Sequence, residues 1–365
     1  MKTFRRLIFG EIVNAVTFVT VGFLALFFFF DFVDEIQGIG KNNGAYKLEH
    51  ALTFVATLVP SHLYELLPIS VLIGTIFVMA RFAQSSEFTI LRTSGLAPAM
   101  ALKNLLGLGL VFVLLTFAVG DYLSPASDRF GQLLKSRYMG QITVGLTGAW
   151  LREKQDDRSF AVNVATLTPE GQPSGIRIFE FNKDGQWLAL TKAKLGVVTN
   201  DTWELQGVER NELVRQGTEA SLSRKYKDSE IWPTGITSEM ISVALLKPDR
   251  MGTIDLFQYI RHLSANGQTT QRFEIEFWKK VFYPMSCLVM MVLALPFAYL
   301  HFRSGNIATH VFMGVLAGIS FFLLNNVFGY IGNINNWAPW FAAAAPGMLY
   351  SLASLAAFGW LVLRQ

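Results

Sequence analysis

Six apolar stretches, each close to 20 residues long, constrain this chain more than any other feature of its sequence. A membrane-crossing helix needs about 20 mainly apolar residues to cross the hydrocarbon layer. The stretches lie at about 12–30, 58–80, 99–120, 281–300, 307–331 and 337–363. The composition agrees, because 52% of the residues are hydrophobic and only 16% are charged. We therefore predict six transmembrane helices, the first being retained and not cleaved as a signal peptide.

Basic residues are distributed unevenly around these stretches. If the N-terminus is cytoplasmic, the cytoplasmic segments carry eight Lys and Arg residues and only two Glu residues. Cytoplasmic loops of membrane proteins are enriched in Lys and Arg. We therefore predict that both termini are cytoplasmic and that residues 121–270 face outward. The excess of Lys and Arg beside the spans also explains the sequence pI of 9.1, so a nucleic-acid partner is not needed to account for it.

The middle of the outward segment has the pattern of β-strands. Apolar and polar residues alternate in five stretches, and turn-forming residues separate them. The predicted strands are 159–167, 175–181, 187–198, 202–214 and 220–232. Short strands at near-regular spacing favour a sandwich or a jelly roll. A helix at 254–265, capped by Thr253, should follow and end at Asn266-Gly267. The predicted fold is thus a membrane α-helical bundle with an inserted β-jellyroll, divided into 1–120, 121–270 and 271–365.

A polar island at 81–98 separates the second and third stretches. It has the residue types of a short helix: a serine to cap the start, a glutamate in the first turn and a glycine to end it. These are Ser85 or Ser86, Glu87 and Gly95, with Phe88, Leu91 and Arg92 on one face. Such a helix could dock on a partner protein. An ordinary cytoplasmic loop is the alternative interpretation.

The sequence lacks the short motifs of common catalytic sites. It contains no G-x-x-x-x-G-K-[ST] phosphate-binding loop, no H-E-x-x-H zinc motif and no G-x-S-x-G nucleophile motif. Its single cysteine, Cys287, excludes an intrachain disulfide and a cysteine-based metal site. We therefore predict no catalytic residues, no metal site and no cofactor in this chain.

Several side chains in and near the spans are candidates for contact with a lipid. Aromatic residues crowd the first and fifth stretches, where packing is the simpler interpretation and an acyl-chain cavity the functional one. These residues include Phe27, Phe28, Phe321 and Phe322. For Asn325, a hydrogen bond to a neighbouring helix is a simpler interpretation than contact with a substrate. The motif Gly314-x-x-x-Gly318 permits close contact between helices. The basic residues Lys41, Lys135 and Arg137, at the outer headgroup level, are either solvated or contact anionic headgroups.

Motifs spread along the whole chain resemble the lipopolysaccharide-export permease family, of the LptF/LptG type, and its LptG branch more closely. The most specific is Ala83-Gln84-Ser85-Ser86-Glu87 with Ser94-Gly95. The others, in the same order as in the family, are Tyr64 to Ile69, Gly120 to Pro125, Leu256 to Gly267, Trp278-Lys279-Lys280 with Pro284, and Asn325 to Gly329.

The resemblance implies a non-catalytic subunit of an ATP-binding-cassette (ABC) exporter. Such a subunit extracts lipopolysaccharide from the Gram-negative inner membrane and passes it to a periplasmic bridge, with its β-jellyroll in the periplasm. The implied partners are an LptF-like permease, a dimeric LptB-like ATPase that uses ATP and Mg, and an LptC-like single-span bridge protein. Nucleic acid is not among them.

The resemblance also implies roles for particular residues. Residues 81–95 correspond to the coupling helix seated in the ATPase, with coupling residues Arg81, Ser86, Glu87, Phe88, Leu91, Arg92 and Gly95. Spans 1 and 5 correspond to the cavity and gate, and Lys135 and Arg137 to contacts with lipid phosphates. The outer end of span 1 departs from the family, because it is acidic at 31–35 where family members often have a lysine. Lys41 is then a substitute contact.

Two other classes fit the same features. A permease of another ABC system, such as lipoprotein release, usually has four spans and a long outer domain. A non-transporting membrane scaffold or sensor with a β ectodomain would not purify with an ATPase. An enzyme acting on lipid headgroups is less favoured, because no acid–base or metal constellation is present in the sequence.

Overall fold

The computed structural model describes residues 2–40, 46–85, 98–139, 148–155, 157–168, 171–199, 202–216, 219–238, 240–241, 248–299 and 307–363. Six helical segments in this part of the chain are long and apolar enough to cross a membrane. These spans are Ile8–Ile36, Leu48–Gln84, Ala99–Lys135, Gln271–Tyr299, Ile307–Ile334 and Pro339–Trp360. The prediction of six spans, with a β domain between the third and fourth, is confirmed.

The chain divides into two compact units. The helical unit comprises Met1–Asp31, Leu58–Ala126 and Gln271–Gln365, and the sheet unit comprises Phe32–Thr57 and Ser127–Thr270. This division differs from the predicted boundary at 120/121, because the third span continues as a helix beyond it. The sheet unit also includes residues 32–57, which the prediction had assigned to the division 1–120.

Helices occupy most of the described chain outside the strands. They are α1 (Lys2–Ile36), α2 (Leu48–Gln84), α3 (Pro98–Ala118), α4 (Ser124–Met139), α5 (Thr253–Ala265), α6 (Gln271–Phe282), α7 (Ser286–Ala294), α8 (Ile307–Ile334) and α9 (Pro339–Leu363). A π-helical turn, Val119–Leu123, joins α3 to α4. Two 3₁₀ turns, Tyr283–Met285 and Leu295–Tyr299, flank α7, and each contains a proline. The fourth span is therefore a broken helix.

Helix α2 runs without interruption from Leu48 to Gln84 although it contains Pro60 and Pro68, so it begins before the predicted start of span 2 at 58. A proline inside a helix disrupts hydrogen bonding to carbonyls in the preceding turn. Two such carbonyls, each three residues before a proline, accept side-chain hydrogen bonds. Ser127 donates to the carbonyl of Thr57 at 2.9 Å, and Tyr283 donates to that of Glu65 at 2.6 Å. Such side-chain donors let a membrane helix retain proline.

The β domain contains one antiparallel sheet in which each described strand pairs with its sequence neighbours. The strands are β1 (Ala149–Gln155), β2 (Arg158–Leu167), β3 (Pro173–Asn182), β4 (Trp187–Val198), β5 (Thr202–Gln216) and β6 (Glu219–Pro233). All five predicted strands are present, and β1 was not predicted. Greek-key connections, which define a strict jelly roll, do not occur among the described strands. The N-cap of α5 is Gly252 and not Thr253 as predicted.

Small residues let α8 approach α2 closely. A Cβ added at Gly314 would lie 2.6 Å from the Cδ1 atom of Ile76, and one at Gly318 would lie 2.9 Å from the Cγ2 atom of Ile69. Larger side chains at these glycines would therefore separate the helices. The predicted close helix contact through Gly314-x-x-x-Gly318 is confirmed, and its partner is span 2.

Candidate functional site

Of the predicted coupling residues, only Arg81 lies in the described part of the chain. It belongs to the last turn of α2, so α2 extends further than the predicted start of the coupling helix. Its guanidinium is 2.8 Å from the carboxylate of Glu11 on α1. Ser86, Glu87, Phe88, Leu91, Arg92 and Gly95 lie outside the described residues. The structure thus places Arg81 where the last turn of α2 contacts α1.

Lys135, a predicted headgroup contact, forms an ion pair within the sheet unit. Its ammonium is 2.8 Å from the carboxylate of Glu35 and 4.2 Å from the ring centroid of Phe54. Glu35 also accepts a hydrogen bond of 2.9 Å from the hydroxyl of Tyr46, which is fully buried. Burial, followed by the contact with Glu35, raises the pKa of Tyr46 well above its usual value. Glu35 therefore holds a lysine and a tyrosine that are distant in sequence.

This arrangement explains the acidic end of span 1. Asp31, one turn before Glu35, is 2.7 Å from the imidazole of His62 on α2. The ring of Phe27 lies 4.8 Å from the same imidazole. Two acidic residues therefore have internal partners. The sequence showed the acidic run, but the partners lie 31 and 100 positions away. Lys41 and the side chain of Arg137, the other predicted basic contacts, lie outside the part of the chain that the structure describes.

The predicted aromatic residues occupy different environments. Phe27 and Phe28 are half-buried on α1, and Phe322 is exposed on α8. Phe321 is buried, with its ring 5.1 Å from that of Tyr350 on α9. Spans 1 and 5 are nevertheless the most exposed of the six, whereas span 2 is the most buried. The structure thus leaves extended apolar surface on the two spans that the sequence singled out, while Phe321 itself packs in the core.

Asn325 lines a cleft of about 370 Å³ between spans 4, 5 and 6. Phe321 and Tyr283 form part of its wall, and the small residues Ala343 and Gly347 of α9 also line it. The cleft is mainly apolar and lies within the helical unit. Asn325 therefore faces a space that an apolar chain could enter, and the helix-packing interpretation is not the only one that its position permits.

Charged side chains fill one end of the sheet. Glu180 on β3 is buried and accepts a hydrogen bond of 2.8 Å from Arg210 on β5, with Arg158 as a second partner. Arg210 also bonds Glu212 at 2.6 Å, and hydrogen bonds from Arg210 and then Lys225 lower the pKa of the Glu212 carboxyl. Glu180, Arg158 and Arg210 border a cleft of about 410 Å³. The cleft is therefore lined by paired charges and is not a free cationic surface.

Helix α5 carries a half-buried histidine, His262, that the sequence did not single out. The Nε2 atom of His262 has no hydrogen-bond partner among the described residues, and its ring stacks on Tyr259 at 6.4 Å. Burial lowers the pKa of His262 below its usual value of 6.5, although Glu153 acts in the opposite direction. Burial also raises the pKa of Tyr259 to about 12. Burial therefore favours the neutral form of this imidazole.

We expect acid to destabilise the sheet unit through His262. Because the folded-state pKa is lowered, the unfolded chain binds the proton more readily, so this contribution to stability is complete above pH 6.5 and falls as the pH drops below it. Thermal unfolding of the purified chain at about pH 7.5 and about pH 5.5 measures the effect. His262→Gln should show a smaller loss between these pH values. An equal loss in both proteins would contradict the assignment.

The fold and these sites define a class: a multi-pass membrane protein whose six spans flank an inserted antiparallel sheet domain. A profile of the family described as "Lipopolysaccharide export system permease LptF/LptG" matches residues 6–362. The match covers both groups of spans and the sheet domain. The chain therefore belongs to the LptF/LptG family, as the sequence motifs predicted.

Individual relatives agree with this assignment. The chain is 25% identical over 338 residues to the lipopolysaccharide export system permease protein LptG of Escherichia coli K12, covering 92% of this chain and 90% of that protein. It is 24% identical over 369 residues to LptG of Haemophilus influenzae, covering 100% and 99% respectively. The similarity thus extends along at least 90% of each protein.

Proposed function

We propose that this chain is the transmembrane permease subunit of an ABC exporter that extracts lipopolysaccharide from the inner membrane and passes it to a periplasmic bridge. The observation that carries the proposal is the family match over residues 6–362, joined to six spans that flank the sheet domain. A lipoprotein-releasing permease is less consistent, because such proteins usually have four spans. We infer no catalytic role for this chain itself.

The positive charge near one side of the spans supports an orientation. Both termini and the segment between spans 2 and 3 face the cytoplasm in this proposal, and the sheet domain faces the periplasm. An LptB-like ATPase dimer would bind ATP and Mg and would contact residues 81–95. An LptF-like permease would pair with this chain, and an LptC-like single-span protein would join the periplasmic side.

The exposed surfaces of spans 1 and 5 support a place for the lipid. Apolar side chains such as Phe28 and Phe322 would contact its acyl chains, because such chains are favoured against apolar surface. Arg137 and Lys41 would meet its phosphates. Lys135 differs from them, because Glu35 already neutralises its charge. In this proposal Lys135 therefore organises the outer end of span 1, and any phosphate would compete with Glu35 for it.

Co-purification tests the proposal most directly. We expect the tagged chain, extracted from its own membrane in mild detergent, to retain an LptF-like permease, a P-loop ATPase and a lipid A glycolipid, all identified by mass spectrometry. Glu87→Ala should lose ATPase while keeping the permease partner. Glu11→Ala removes a carboxylate at the same end of the spans, where it pairs only on the helix surface with Arg81, and should retain both. The function would be refuted if the chain purified without these partners, or if it purified with a lipoprotein as its cargo.

A further inference from the structure

Lys280 is a buried basic residue of span 4 that none of the roles above uses. It is only 7% exposed, and its ammonium donates a hydrogen bond of 2.9 Å to the carbonyl of Gly120. The same ammonium is 5.5 Å from the centroid of the Tyr64 ring. Burying an ammonium among membrane spans is costly, and such residues are usually functional. The position of Lys280 therefore requires an explanation beyond packing.

The acceptor lies at the one described place where span 3 departs from α-helical geometry. Gly120 belongs to the π-helical turn Val119–Leu123. A π turn shifts the hydrogen-bonding register of a helix, and such turns are frequent at functional sites. The ring of Tyr64 lies so close to Gly120 that a Cβ there would overlap it. Span 2 thus packs on the turn from one side, and Lys280 of span 4 holds its carbonyl.

The neighbouring residues of span 4 contact spans 5 and 6 of the helical unit. Lys279 bonds Glu276 at 2.8 Å, and its ammonium lies 2.5 Å from the place where a Cβ of Gly329 on α8 would stand. Gln271 donates to the carbonyls of Gly332 and Trp337, at 3.2 Å and 2.6 Å. One segment of span 4 therefore contacts spans 3, 5 and 6, while Tyr283 bonds span 2.

We propose that Lys280 is a positioning residue that pins the π turn of span 3 to span 4 and thereby transmits movement between the spans. The inference rests on the proposed export function. Force applied to the segment between spans 2 and 3 would reach the turn along α2 and α3. The Lys280–Gly120 hydrogen bond then carries it into span 4, and through Gln271 towards spans 5 and 6. Without this bond, the turn would flex and absorb the movement.

The test uses the full chain in its exporter complex, reconstituted in proteoliposomes with lipopolysaccharide. Lys280→Met keeps the chain length and removes the donor. We expect normal assembly and ATP hydrolysis, but a fall of about tenfold in lipid released per ATP, within the range seen for residues that carry coupling. Hydrogen–deuterium exchange at residues 119–124 should increase. Lys279→Met loses the bond to Glu276 within span 4 but leaves the Lys280–Gly120 bond in place, so it should keep its release ratio within about twofold of the wild type.

Lys280→Arg retains charge and donors, and it should keep the release ratio within about threefold of wild type. If Lys280→Met does not assemble, the release ratio of Lys280→Gln is measured in its place. Glutamine keeps a polar N–H group at this buried position, but its side chain is shorter than that of lysine and carries no charge. A reduced release ratio with normal ATP hydrolysis supports the proposal. An unchanged ratio, or equal losses of assembly, ATP hydrolysis and release in every variant, overturns it. Co-purification of the partners does not depend on this outcome, so the export function is tested separately.

Discussion

Replacing Trp203 with alanine should destabilise the sheet unit by about 3–5 kcal/mol, the usual cost of removing a large buried aromatic side chain. Trp203 on β5 is fully buried, and its ring packs edge-on against Trp232 on β6 at 5.5 Å. Its indole N–H donates a hydrogen bond of 2.8 Å to the carbonyl of Ile236. The substitution thus leaves both a cavity and an unsatisfied carbonyl. Hydrogen exchange of the strand amides in the full chain measures the loss.

Two further variants separate the contributions. Trp203→Phe retains most of the ring but not the N–H group, so it should cost about 1–3 kcal/mol, the penalty for leaving a buried carbonyl unpaired. Trp150→Ala removes a half-exposed tryptophan that stacks on Phe179 at 5.8 Å, and it should cost about 1 kcal/mol. Equal losses for Trp150→Ala and Trp203→Ala would show that burial does not set the effect.

Replacing Glu35 with alanine should have the second-largest effect, because one carboxylate satisfies two partners. The substitution leaves the buried hydroxyl of Tyr46 without its acceptor and Lys135 without its counter-ion. Hydrogen bonds to charged groups contribute about 1.5–3 kcal/mol each, and the partial exposure of Lys135 reduces its share, so we expect a loss of about 2–3 kcal/mol. Thermal unfolding and hydrogen exchange at residues 32–39 and 127–139 would report it.

A double-mutant cycle identifies the source of that loss. Glu35→Gln combined with Lys135→Met should be less destabilising than the sum of the single changes, because the second substitution removes the charge that the first leaves unpaired. Asp34→Ala is the matched control: this neighbouring carboxylate is exposed, and its loss should change stability by no more than about 0.5 kcal/mol. Strict additivity in the cycle would contradict the ion pair.

Local patterns accounted for most of the secondary structure. The strand at 187–198 was predicted with the bounds that the structure gives to β4, because alternating side chains and the turn residues on either side define a strand locally. The bounds of α2 were missed, because Pro60 and Pro68 indicate a broken helix unless distant donors compensate. Ser127 and Tyr283 supply that compensation, and nothing near the prolines in sequence reveals it.

The sequence by itself determined the six spans, the inserted β domain and the family, because hydrophobic length, alternation and ordered motifs are local properties of the chain. Only the tertiary structure decided what the charged residues near and within the spans do. Lys135 was a predicted phosphate contact and is paired with Glu35, while Lys280 was only part of a motif and holds the carbonyl of Gly120. The physical reason is that the partner of a buried charge is set by proximity after folding. These two contacts join residues 100 and 160 positions apart.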